Sequence, residues 1–179
     1  MTLPSQARSL PTKKSLSNSA IVQGRPRIAV VTGTSSGIGL AIARKLLADR
    51  WVVRGLDRAP AVLMAENFAG QTVDLTQGVA LEAALDSALN AELSGVAPDA
   101  LVHAAGMLRV GQLGSLDPAS GEAMWRLHVD AATRLANRLL PAMQAAGGGR
   151  MVLVGSRVSV GIAGRSQYAA SSAALEAVA

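Results

Sequence analysis

The feature that most constrains this 179-residue chain is a glycine-rich turn set between a short apolar run and a helical pattern. Ile28-Ala29-Val30-Val31 is followed at once by Thr32-Gly33-Thr34-Ser35-Ser36-Gly37-Ile38-Gly39, and Leu40 to Leu47 then carries apolar residues at helical spacing. A strand, a tight glycine turn and a helix in that order place free N–H groups and the positive end of a helix dipole at one point. Gly33 permits the tight turn, Gly37 lets backbone approach a phosphate, and Gly39 lets the helix close onto the strand. Ser35, Ser36 and Ile38 fill the turn between them.

The rest of the chain repeats the alternation. Val52–Leu56, Gln71–Leu75, Ala100–Ala105 and Met151–Val154 read as further strands. Val79–Leu93 reads as a helix with Ala80, Leu81, Ala84, Leu85, Ala88 and Leu89 as its buried stripe. Gly121–Ala146 is helical in period, with Pro141 expected to kink it or start a new turn, and Ser166–Ala179 begins another helix. Strands alternating with helices imply β-α-β units and a parallel sheet. The first, fourth and fifth strands are continuous apolar runs, as expected of strands covered on both faces. The expected fold is α/β, a doubly wound parallel sheet of the Rossmann type, with its ligand crevice at the carboxyl ends of the strands. Residues 1–25 read as a disordered basic tail and 26–179 as a single dinucleotide-binding domain.

Charge and composition exclude several function classes. The net charge of +5 invites a nucleic-acid reading, but Arg8, Lys13, Lys14 and Arg25 lie in the Ser-rich tail, which holds no acid. The remaining 13 basic and 12 acidic residues nearly cancel, so the body offers no basic face for nucleic acid. There is no cysteine and there are two histidines, which leaves no metal site of ordinary composition. Charged residues and glycines interrupt every apolar run before the ~18 residues that a membrane helix needs. The tail lacks the apolar core of a secretory signal, and the expectation is a cytoplasmic chain.

Further motifs sharpen the turn's meaning. Asp57 ends the second strand 24 residues after Gly33, where an acid can accept hydrogen bonds from ribose hydroxyls and repel a 2′-phosphate. The order Thr-Gly-x-x-x-Gly-x-Gly resembles the short-chain dehydrogenase/reductase family of the classical type. Asp74-Leu75-Thr76 resembles that family's adenine-contacting element. His103-Ala104-Ala105-Gly106 stands where the family has Asn-Asn-Ala-Gly. Ser156 followed twelve residues later by Tyr168 resembles the family's catalytic segment.

The resemblance implies an NAD(P)-dependent oxidoreductase that moves a hydride between nicotinamide and an alcohol or ketone carbon of a small molecule. Ser156 would hold the substrate oxygen and Tyr168 would act as acid or base. Gly33, Ser35, Ser36, Gly37, Ile38, Gly39, Asp57, Arg58, Asp74, Leu75, Ala104, Ala105 and Gly106 would hold the cofactor. NAD is favoured over NADP because Ser36 is not basic, although Arg58 follows Asp57. Ala104 to Gly111, with Arg109, is similar to the corresponding run of 2,3-dihydro-2,3-dihydroxybenzoate dehydrogenases, in which case Arg109 would face a substrate carboxylate.

Three departures oppose turnover. The family's lysine four residues beyond the tyrosine is Ser172, and its water-holding asparagine is His128, which reads first as a hydrogen-bonded helix residue. A phenol with a pKa near ~10 serves at neutral pH only if positive charge steadies its anion. Third, the family extends beyond the matching region by a strand and a substrate lid, so the expectation is a C-terminally truncated member, a homo-oligomer when complete. A non-catalytic dinucleotide binder, or a fragment, remains the alternative.

Overall fold

A computed structural model describes residues 25–87 and 96–179. The sequence tail up to residue 24, and the end of the expected second helix with Ala88 and Leu89, lie outside the described residues. Five parallel strands form one sheet in the order β3-β2-β1-β4-β5. They are β1 (Ile28–Thr32), β2 (Val52–Asp57), β3 (Phe68–Thr72), β4 (Ala100–His103) and β5 (Arg150–Leu153). The helices are α1 (Gly37–Ala48), α2 (Gly78–Ser87), α3 (Pro118–Trp125), α4 (Ala131–Ala145) and α5 (Ser166–Val178). The chain is Rossmann-like, with helices on both faces of the sheet.

β1 alternates its side chains between two cores, as a strand covered on both faces must. Val30 joins Leu56, Leu81, Leu85, Leu101, Leu135 and Leu139 beneath α2 and α4. Ala29 and Val31 join Val53, Ala100 and Val102 beneath α1, with Ile42 and Leu46 packed against them. Each fully buried leucine contributes about 2–3 kcal/mol of transfer free energy. Arg25, assigned by sequence to the tail, instead forms a bidentate pair with Asp99 at 2.9 Å, and Asp99 also accepts from Ile28 N.

Several elements depart from the sequence expectation. The third strand begins at Phe68, not Gln71, because β2 pairs Val53 with Phe68 and Asp57 with Thr72. Val73 and Leu75, which made the later run look like a strand, are buried loop residues under the site. On α2 Ala80 is exposed, while Leu81, Ala84 and Leu85 are buried as expected. The long helix begins at Pro118, whose missing N–H is harmless at a first turn, and Asp117 caps it. Pro141 lies inside α4 without ending it. Asn137, whose carbonyl loses its i+4 donor there, is exposed and faces water. The irregularity lies upstream, in a π-turn at Arg126–Asp130 between α3 and α4. β5 is not covered on both faces. It pairs only with β4 among the described strands, and Val152 is 47 % exposed.

Candidate functional site

The sheet order reverses direction at β1. The chain runs outward through β2 and β3, then crosses to β4 on β1's other side. Such a switch point opens a crevice at the carboxyl ends of β1 and β4. A crevice of about 760 Å³ lies there. Its walls bring together Gly33, Ser36, Gly37, Ile38, Gly39, Asp57, Arg58, Asp74, Leu75, Ala104, Ala105, Gly106 and Tyr168. Of the cofactor and catalytic residues expected from sequence, Ser35 and Ser156 do not line it, and neither does His103. Ser35 N donates to Asp57 at 2.8 Å, and its hydroxyl donates to Ala59 O and Pro60 O, so it braces the turn from behind. Ser156 caps a 3₁₀ turn (Arg157–Val160), where its hydroxyl accepts from Val158 N at 3.3 Å.

The turn's geometry follows from its glycines. Gly33 has φ +75°, and a Cβ there would stand 3.0 Å from the Ala105 backbone. Gly37 has φ +52° and faces open space. A Cβ on Gly39 would collide with the Gly33 carbonyl, which is why α1 can sit directly on the end of β1. Ser36 caps α1 without a side-chain hydrogen bond, and the first turn holds no acid. The leading N–H groups therefore face the crevice without a competing anion.

Asp57 Oδ2 accepts from Ser35 N and Oδ1 from Ala59 N at 2.9 Å, which fixes the carboxylate at the crevice edge. Asp74 Oδ1 accepts from both Thr76 N and Thr76 Oγ1, leaving Oδ2 available. Asp117 accepts from Ala119 N and Ser120 N, and Ser120 holds its carboxyl below the usual range.

Two buried histidines organise the floor. Thr32 Oγ1 accepts from Ala104 N and Ala105 N at 3.0 Å and pairs with His103 Nδ1, while His103 Nε2 pairs with Leu127 O in the π-turn. Burial pushes the His103 imidazole down to about 4. His103 is thus a buried histidine with both ring nitrogens hydrogen-bonded. His128, also lowered by burial, has both ring nitrogens engaged, by Met107 N and by Ser171 Oγ. Neither nitrogen is left for a water.

Sequence reasoning did not single out Met107, Leu108, Ser120, Ala123, Val154, Gly155 or Leu175, which also line the crevice. Only the position of Val154 and Gly155 at the end of β5 signalled them. Ser172 and Arg109 line it too. Among the described residues the one lysine is Lys45, on the last turn of α1 and paired with Asp49. No group of three or more acidic or histidine side chains capable of holding a metal occurs among the described residues. No described helix is long and apolar enough to cross a membrane.

The profile of the family described as short chain dehydrogenase matches residues 27–179. This chain belongs to that family. It is 33 % identical over 152 residues to an uncharacterized oxidoreductase, YbbO, of Escherichia coli K12, covering 83 % of this chain and 56 % of that protein. It is 36 % identical over 152 residues to galactitol 2-dehydrogenase (L-tagatose-forming) of Cereibacter sphaeroides, covering 80 % and 57 %. A crystal structure of a short-chain dehydrogenase from Streptomyces avermitilis superposes with a TM-score of 0.80 at 30 % identity, covering 86 % of this chain and 58 % of that one. The chain thus spans somewhat over half the length of these relatives. Its family consists of oxidoreductases that bind a nicotinamide dinucleotide and act on small molecules.

Proposed function

We propose that the crevice binds NAD and that its residues serve hydride transfer between nicotinamide and an alcohol or ketone carbon. One observation carries this reading: the phosphate turn at Gly33–Gly39 and the phenol of Tyr168 line the same crevice. The residues suit a dinucleotide. Gly37 leaves open space above unpaired helix N–H groups, the environment a pyrophosphate needs. The pre-oriented Asp57 carboxylate suits two ribose hydroxyls and repels a 2′-phosphate, which supports NAD over NADP despite Arg58 beside it. Asp74 Oδ2 suits the adenine amino group, and Leu75, Ala104, Ala105 and Gly106 supply the close apolar and backbone wall.

When bound, the nicotinamide ring supplies the hydride acceptor or donor. Tyr168 gives or takes a proton at its phenol oxygen. Ser156, although outside the crevice lining, keeps its hydroxyl hydrogen for the oxygen of a substrate that reaches beyond that lining, because Val158 N uses only its lone pair. Arg109 at the crevice wall is the group that would meet a substrate carboxylate, consistent with an acidic dihydrodiol such as 2,3-dihydro-2,3-dihydroxybenzoate.

Ser172 favours a second reading, a dinucleotide binder that turns nothing over. It lines the crevice one helical turn beyond Tyr168 and brings no charge. Titration calorimetry with NAD and NADP tests the shared claim: saturable NAD binding, at least tenfold tighter than NADP, is expected. Absence of heat with either nucleotide overturns both readings. Reduction of bound NAD by a panel of alcohols separates them, since the second reading requires binding without reduction.

A further inference from the structure

We propose that His128 is a positioning residue whose ring, carrying its proton on Nδ1 and none on Nε2, straps the Met107 loop to α5 and thereby fixes Tyr168 in the crevice wall. The Met107 backbone N–H donates to Nε2 at 3.1 Å. A backbone amide can only donate, so Nε2 must hold a lone pair. The proton of the neutral ring therefore sits on Nδ1 and is given to Ser171 Oγ at 2.9 Å. Ser171 in turn donates its hydroxyl hydrogen to the Tyr168 carbonyl at 3.1 Å. The Tyr168 ring meets the His128 ring edge-on, with centroids 5.6 Å apart and planes at 82°. Gly106 lies against the same ring, where an added Cβ would come within 3.6 Å of Nε2.

His103 shows the opposite arrangement. Thr32 Oγ1 accepts two amide hydrogens and so gives its own hydrogen to His103 Nδ1, which leaves the His103 proton on Nε2 for Leu127 O. Leu127 is the neighbour of His128 in the π-turn. The two rings, in opposite tautomers, hold the strip Ala104–Met107 from both ends. The ionisable groups recorded against His128 are His103 from β4 and Tyr168 from α5. Residues 104–107 contribute none. A strap of this kind occupies both nitrogens, so His128 acts through Met107 and Ser171 and not through a bound water.

The functional part of this inference rests on the crevice being the NAD site, but its chemical part does not. The chain has two histidines, so ring-nitrogen NMR of the whole protein at neutral pH resolves both. One ring with Nε2–H and one with Nδ1–H are expected, the latter vanishing in His128→Gln. An Nε2–H or doubly protonated His128 overturns the proposal, whether or not any nucleotide binds. The second arm is NAD calorimetry on His128→Leu and His128→Gln, each checked for fold by circular dichroism. Leu leaves the Met107 amide unpaired and is expected to weaken NAD about tenfold, whereas the Gln amide oxygen can accept that hydrogen and should restore affinity to within about threefold. Folded His128→Leu that binds like the parent, or His128→Gln no better than Leu, overturns the strap. Failure of the parent chain to bind NAD counts against the proposed function instead, and the tautomer then decides this proposal alone.

Discussion

His103 is 1 % exposed and neutral, and the fold depends on its staying so. Its imidazole is lowered from 6.5 to about 4, chiefly by burial, so the unfolded chain binds a proton that the folded one refuses in between. Stability from this group is complete above pH 6.5 and falls as the pH drops toward 4, by roughly 3 kcal/mol in all. Urea unfolding should show that loss, and His103→Asn should flatten it while leaving the smaller contribution of His128, which is lowered in the same direction. An unchanged acid slope in His103→Asn would sink this account. Ser172 is the other decisive residue. A lysine there places positive charge one turn from Tyr168, where opposite charges within ~4–6 Å move an acid's ionisation by about 1–3 units. Ser172→Lys is expected to raise hydride transfer at neutral pH at least tenfold and to shift the pH–rate profile toward neutrality, with NAD affinity little changed. Equal rates in parent and variant would show that the missing charge is not what limits this site.

The β1–turn–α1 element separates two duties of glycine that a sequence motif runs together. Gly37 has a left-handed backbone and empty surroundings, whereas Gly39 touches the carbonyl of Gly33. Gly37→Ala should keep the fold at a cost of about 1 kcal/mol while filling the phosphate space, so NAD affinity is lost first. Gly39→Ala forces α1 off β1, and both thermal stability and binding should fall together; calorimetry alongside thermal melts distinguishes the two patterns. This element was legible because an apolar run, three glycines and a helical period coincide within twenty residues. β3 was not: its backbone pairing runs through Phe68-Ala-Gly-Gln-Thr, a weak pattern, while the stronger run around Val73 and Leu75 is buried for loop packing. The exposure of β5 was equally hidden, since an apolar strand reads the same at a sheet edge as at its centre. Most hidden were the partners of Thr32 and Ser171, which lie 71 and 43 residues away in sequence and meet only through the fold.

At the scale of the molecule, the alternation of strands and helices determined which residues share a crevice, because a switch point at β1 gathers the ends of both halves of the sheet. The β1–β3 half contributes the glycine turn, Asp57 and Asp74; the β4–β5 half contributes Ala104–Gly106, Gly155 and, through α5, Tyr168 and Ser172. The halves are joined by the pairing of β1 with β4 over Ala29–Val31 and Ala100–Val102, and by the cores on either side of it. A ligand spanning that seam touches both, so its binding energy stabilises the junction and not one half alone. Free NAD at a hundred times its Kd should therefore add about 2.7 kcal/mol to unfolding, or roughly 5–10 °C in Tm for a chain of this size. The shift should appear as one transition moving as a unit, and it should disappear in Gly37→Ala, which removes the phosphate space without touching the seam. Two transitions of which NAD moves only the first would mean that the nucleotide is held by the β1–β3 half alone, and that the proximity of Tyr168 to the phosphate turn plays no part in binding.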